Sequence, residues 1–186
     1  MTAVAAACGS DTTTPTQGLT RAELLALARD TAAEPNGALC TFKNNQLFHC
    51  QITHTDSVGT TFATLTFFPH SIVSRNDTLL CDTCTIVITA TVTPLTYEFT
   101  LGPASLIFNQ QGEPTADVSF GAYGDPSVYT QSPKYGTASA FLQALDLWHE
   151  QSPDRWVVGR NSSHTGPTTI SSALEGPGTY LLAAPK

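Results

Sequence analysis

The nine residues "TIVITATVT", Thr85 to Thr93, decide the fold class. Ile86, Ile88, Ala90 and Val92 alternate with threonines, and Val87 is the single exception. Successive side chains of a strand point to opposite faces, so this run has one apolar face and one hydroxyl-bearing face. It reads as a half-buried β-strand. The runs around it read the same way. "TTFATLTFF" (60–68), "LTYEFTL" (95–101) and "SLIF" (105–108) are short, rich in β-branched and aromatic residues, and bounded by Gly, Pro, Asn or Asp. Pro94 falls between two of them, where its missing N–H breaks no ladder. "RWVV" (155–158) and "GTYLLAA" (178–184) add late strands on either side of the loop "GRNSSHTGP". The expected fold is mainly β: an antiparallel sandwich or barrel of roughly seven to ten strands, with two short helices.

Those helices are predicted near 20–33 and 137–150. In "LTRAELLALARDTAAEPNG" (19–37), Thr20 and Glu23 form a capping box, Leu24, Leu27 and Ala28 make one apolar stripe, and Pro35-Asn36-Gly37 is a stop. Phe141, Leu142, Leu145 and Trp148 fall at helical spacing before Ser152-Pro153, and Trp148 is expected to pack in the core. Residues 1–18, polar and rich in Thr, read as a flexible tether or arm, leaving 19–186 as a single domain.

Composition narrows the function. Of 186 residues 41% are hydrophobic, enough for a sizeable core, and only 12% are charged, so Thr, Ser, Asn and Gln must supply most of the polar surface. Eight Lys and Arg against 15 Asp and Glu give a net charge of −7, with no basic run to neutralise phosphates, which argues against nucleic-acid binding. No run of 18 apolar residues is present to cross a membrane as a helix.

Four of the five cysteines are clustered: Cys40 and Cys50 in "ALCTFKNNQLFHC", Cys81 and Cys84 in "LLCDTC". A hairpin turning at Lys43-Asn44-Asn45-Gln46 has two competing registers. One, with an Asn-Asn turn, sets Cys40 opposite His49. The other, centred on Asn45, sets Cys40 opposite Cys50 and puts Phe42, Phe48 and Ile52 on the same face. The second buries both aromatics together and brings the sulfurs within bridging range, so Cys40–Cys50 is the preferred disulfide. Cys81 and Cys84 then close a tight loop of their own, or the two pairs cross-link; four cysteines allow three pairings. A zinc site is the rival, with Cys81-x2-Cys84 as half a ribbon and His49 and His54 as further ligands. Against it, a strand through "HCQITH" points those two histidines to opposite faces.

The fifth cysteine lies in "AAACGSD". Ala5, Ala6, Ala7, Cys8, Gly9 and Ser10 resemble the lipobox of bacterial lipoproteins, with Ala5 standing where Leu is commonest. The resemblance implies that Cys8 is acylated as a lipid anchor and that "GSDTTTPTQG" is the tether beyond it. A second resemblance covers residues 20–120: a helix, a cysteine-bearing hairpin and "SLIFNQQGEP" are loosely similar to the globular heads of minor pilins and pseudopilins, without their long apolar N-terminal helix.

No nucleophile elbow, zinc-protease motif or phosphate-cradling loop is present. His49, His54, His70, His149 and His164 are scattered, and Ser162, Ser163, His164 and Asp154 sketch a triad that any Ser-rich chain would yield. No catalytic, cofactor or metal residue is assigned. Tyr123, Tyr129 and Tyr135 lie in the Gly/Pro-rich segment 121–136, where they either form a contact surface or pack the loop onto the sheet. "NDT" at Asn76 and "NSS" at Asn161 are glycosylation sequons. The expectation is a non-enzymatic extracytoplasmic protein of the cell envelope or a secreted one, structural or adhesive, meeting a protein or glycan at the cell surface and touching membrane only through the anchor. The alternative is a self-assembling subunit of an extracellular filament or capsid, its partners copies of itself. A secreted hydrolase ranks third.

Overall fold

The computed structural model describes residues 18–186. The predicted anchor Cys8 and the tether predicted over 1–18 lie outside the described residues, Gly18 excepted. In chain order the strands begin with β1 (Leu24–Ala26), β2 (Ala28–Arg29), β3 (Ala38–Lys43), β4 (Phe48–Thr53), β5 (Thr61–Phe67), β6 (Ile72–Arg75), β7 (Thr78–Leu79) and β8 (Thr85–Val92). They continue with β9 (Glu98–Gly102), β10 (Leu106–Phe108), β11 (Thr115–Ser119) and β12 (Gly124–Asp125). After the helix α1 (Ala138–Gln143) come β13 (Asp146–Ser152), β14 (Arg155–Val158), β15 (Ser163–Gly166), β16 (Thr169–Ala173) and β17 (Gly178–Pro185).

Two antiparallel sheets form a sandwich. The larger runs β14-β13-β17-β9-β8-β3, with β1 beside the end of β17; the smaller runs β15-β16-β11-β5-β4. Neither closes into a barrel, and two minor ribbons, β10-β6-β7 and β12-β2, lie outside them. In β8 the alternation works as the sequence implies. Ile86, Ile88 and Ala90 are buried, while the threonines and Val87 face outward. The inward residues of both sheets merge into one core, within which Phe42 stacks on Phe67 at 4.8 Å and Phe62 on Tyr97 at 5.0 Å.

Strand β17 breaks the alternation for a physical reason. Tyr180, Leu182 and Ala184 face the main core, but Leu181 and Ala183 face a second cluster with Leu24, Trp148 and Trp156. A strand buried on both faces reads as a continuous apolar run. Trp148 is buried as expected, its Nε1–H donating to the Ala183 carbonyl at 3.0 Å, but it sits on β13 and not on a helix.

Both helix expectations need correction. The helix predicted over 20–33 is a single 3-10 turn, Arg21–Glu23, followed by β1 and β2. The Glu23 carboxylate does accept from the Thr20 N–H and hydroxyl, both at 2.8 Å, so the cap forms without its helix. Leu24, Leu25 and Leu27 are all buried. One helical stripe leaves Leu25 outside, whereas a strand buries Leu24 and Leu25 on opposite sides. Pairing with the distant end of β17, Leu25 opposite Ala184, overrides helix propensity. The second helix covers only Ala138–Gln143, capped by the Thr137 hydroxyl accepting from the Ala140 N–H at 3.1 Å. With the six-residue 3-10 helix Pro126–Gln131 it makes up the two short helices of the fold.

The preferred disulfide is present: Cys40 is bonded to Cys50, and Cys81 to Cys84 in a loop of its own. The hairpin is not. Strand β3 pairs with β8 in one sheet and β4 with β5 in the other, so the chain arches across the sandwich at Asn44–Leu47. Cys40 and Cys50 meet as facing side chains of two sheets, with Phe42 and Phe48 stacked beside them at 5.2 Å. Buried Asn44 secures the arch, its N–H donating to the Cys84 carbonyl at 3.1 Å and its carbonyl accepting from the His70 N–H at 2.6 Å.

Candidate functional site

At one end of the sandwich the loops 30–36, 54–60, 93–97 and 120–125 are tied together by two buried or half-buried knots. The first is Arg29, 4% exposed, at the end of β2. Its guanidinium donates to the carbonyls of Asp30 (2.7 Å), Ala33 (2.5 Å) and Pro94. No carboxylate among the described residues lies in salt-bridge range of it. A buried cation is costly unless its donors are engaged; three carbonyl dipoles from two loops engage both terminal nitrogens, while Nε is buried without a partner among the described residues.

The second knot is Asp56. One carboxylate oxygen accepts from the Thr60 N–H at 2.8 Å and the Val58 N–H at 3.3 Å, the other from the Tyr123 hydroxyl at 2.8 Å. The bonds from Thr60 and Tyr123 hold its carboxyl well below the usual carboxylate range. Between the knots lies His54, buried, with its ring 4.4 Å from that of Tyr123 and edge-on to Phe62 and Tyr97. Its Nδ1 is 3.0 Å from the Ala33 carbonyl, which only accepts, so Nδ1 carries the proton. Burial lowers its pKa and favours the neutral ring.

The three predicted contact tyrosines divide. Tyr123 is half-buried at this loop end. Tyr129 is half-buried against the core. Tyr135 is only 7% exposed, its hydroxyl donating to the Pro185 carbonyl at 2.6 Å and its ring edge-on to Phe141, so it is no contact residue. Within the segment 121–136 only Ser132 and Tyr135 are buried, Tyr135 because the end of β17 offers its hydroxyl an acceptor. Among exposed polar residues such as Asp30, Glu34, Thr55 and Ser57, the loop end also presents two large apolar side chains, Val58 at 82% and Leu95 at 61% exposed. Each is anchored by its own backbone or its neighbour's, Val58 N–H on Asp56 and the Leu95 carbonyl on the Arg29 N–H. Sequence reading assigned neither to a contact surface, since Val58 is a lone apolar residue in a polar turn and Leu95 reads as the first residue of the strand run 95–101.

The sketched triad does not assemble. The Ser162 hydroxyl donates to Asp146 at 2.8 Å and accepts from the Leu147 N–H at 3.1 Å, with no histidine between. Burial raises the Asp146 pKa, opposed by its bond from Ser162. Asp154 instead accepts from the Arg21 N–H at 2.7 Å, and His164 is exposed on β15. His49 faces out and His54 in, as the strand reading implied, and with four cysteines in disulfides the zinc alternative fails. No three His, Cys, Asp or Glu side chains gather as metal ligands among the described residues. Asn76 and Asn161, the two sequon asparagines, are exposed at turns with φ of 50° and 58°.

No protein family, curated protein or solved structure matches the chain significantly.

Proposed function

We propose that the chain is a non-enzymatic extracytoplasmic domain, of the cell envelope or secreted, that holds a surface partner against the Val58–Leu95–Tyr123 loop end. The observation that carries this reading is the cross-tying of that end. Arg29 and Asp56 fix four loops in place while two large apolar side chains stand out in water. Exposed apolar side chains on a preorganised platform lose little entropy on binding and so favour contact. Two disulfides favour an oxidising compartment. The engaged Ser162 hydroxyl supports a non-enzymatic role. Acylation of Cys8 would attach the domain to a membrane, with the stretch to Gly18 as its tether.

The test is cell fractionation of the native protein with alkylation before reduction. Recovery outside the cytoplasm, with Cys40, Cys50, Cys81 and Cys84 unalkylated, is the expected result. A cytoplasmic protein with free thiols there would overturn the reading. Mass spectrometry of the same material reports whether Cys8 carries a lipid.

One observation favours assembly as a second reading. Among the described residues, strand β3 pairs with β8 alone, and Leu39 on this edge strand is 68% exposed. An N-terminal arm from a neighbouring copy would add a strand there. Polymers in size exclusion that disappear on deletion of 1–17 would favour this alternative.

A further inference from the structure

On the opposite sheet, away from the loop end, a polar concavity of about 430 Å³ is built from Phe68, Gln110, Glu113, Thr115, Arg160 and Ser171, among others. Thr115 on β11 and Ser171 on β16 point outward as neighbours, because Ala116 and Ile170 on the same strands point into the core. Phe68 follows the last residue of β5 and stays 39% exposed, the only aromatic residue among the large exposed hydrophobics. Gln110 and Glu113 come from the β10–β11 turn and Arg160 from the turn after β14.

Arg160 organises the floor. Its Nη2 reaches Gln110 Oε1 and Glu113 Oε1, and its Nε lies 3.4 Å from Glu175 Oε1. Both carboxylate side chains are nearly buried, 12% and 14% exposed, whereas that of Arg160 is 45% exposed. Arg160 lines the concavity, and its Nη1 makes no hydrogen bond among the described residues. Gln110 is pinned in turn, its Nε2 donating to the Glu175 carbonyl at 3.4 Å. Donors and acceptors are thus fixed in orientation beside an exposed aromatic ring.

We infer that this concavity binds a single neutral pyranose ring, the terminal sugar of a glycan or a free glycoside. A pyranose has an apolar face of C–H groups, which suits the electron-rich face of Phe68. Its rim of hydroxyls both donates and accepts, matching guanidinium, amide, carboxylate and the Thr115 and Ser171 hydroxyls. The volume falls within the range of small-molecule sites. Two carboxylates against one guanidinium leave the floor negative, which disfavours an acidic sugar. Glu175 is held beside the concavity, one carboxylate oxygen accepting from the Arg160 N–H at 3.1 Å and the other from the Gln151 Nε2–H at 3.2 Å. This inference does not depend on the loop end or on where the protein resides.

The test is a 15N–1H NMR titration of the full chain, made in a host that does not glycosylate Asn161. The added ligands are methyl glycosides of glucose, galactose, mannose and N-acetylglucosamine, with glucuronic acid as the anionic control. At least one neutral glycoside is expected to shift the amides of Phe68, Gln110–Thr115 and Ser171, saturating at about millimolar concentration. Phe68→Ala and Gln110→Ala, both at exposed positions, should each weaken it at least about ten-fold while the remaining spectrum is unchanged. Three results would overturn the site: no shift at these amides with any neutral glycoside, glucuronate binding as tightly, or undiminished binding by both variants. Val58→Asp, at the loop end, should leave the titration unaltered.

Discussion

His149 and His54 are buried residues whose burial disfavours the charged ring. Burial lowers the pKa of each, and His149 lies flat on Tyr180 at 4.4 Å. Below the ordinary histidine value of 6.5, the unfolded chain binds protons that the native chain refuses. The stability they confer is complete above that pH and declines as pH falls beneath it. Asp56, with its lowered pKa, adds a further loss only below its ordinary value of 3.8, while the raised Asp146 acts with the opposite sign. The urea midpoint should therefore drop between about pH 7.5 and about pH 5.5, and drop less in His149→Phe. An unchanged wild-type midpoint would contradict the assignment. At the loop end, Tyr123→Phe removes the hydroxyl that Asp56 accepts, and should cost about 1 kcal/mol in the same assay. Arg29→Ala should cost about 2–3 kcal/mol, because the buried Ala33 carbonyl and the part-buried carbonyls of Asp30 and Pro94 lose their donor together. At this scale the sequence was legible wherever period-two parity decided the outcome. It put Cys40 and Cys50 on one face, which favoured their pairing, and it told that His49 and His54 part company, while the partner of Cys81 and Cys84 stayed open. It did not reveal that Tyr135 is buried, because that depends on Pro185, fifty residues away.

The β3–β4 arch shows why parity fixes a face and not a partner. A hairpin and an arch both place Cys40 near Cys50; only β8 and β5, competing for the two backbone edges, distinguish them. The same limit explains β1. Its two Leu and one Ala, with Glu23 just before them, favour a helix locally, and the ladder that wins comes from the far end of the chain. Leu24→Ala should cost about 2–5 kcal/mol and shift tryptophan emission to the red, since Leu24 packs in the cluster with Trp148 and Trp156. A helical β1 segment would instead leave that emission unmoved. The two disulfides should also differ. Cys40–Cys50 closes ten residues of separation inside the core, and Cys81–Cys84 closes three at the surface. Removing them should cost roughly 3 and roughly 2 kcal/mol on chain entropy alone. Graded reductant followed by alkylation and peptide mass mapping should open Cys81–Cys84 first. Prior loss of Cys40–Cys50 would mean the core is not closed over it.

Taken whole, the molecule is two sheets stapled across their core, with an apolar tip at one end and a polar concavity on one face. The low charge content and Thr-rich strands made the sandwich legible, because outward threonines mark strands with one wet face. The tip was not legible, since it forms only when four loops converge on Arg29 and Asp56. The most direct measurement is the saturable binding of the labelled full chain to intact cells of the organism that makes it, for wild type and for the Val58→Asp/Leu95→Asp double variant. Both positions are exposed, so the thermal midpoint should hold while binding falls at least about ten-fold. A double variant that binds as tightly as wild type would contradict the account.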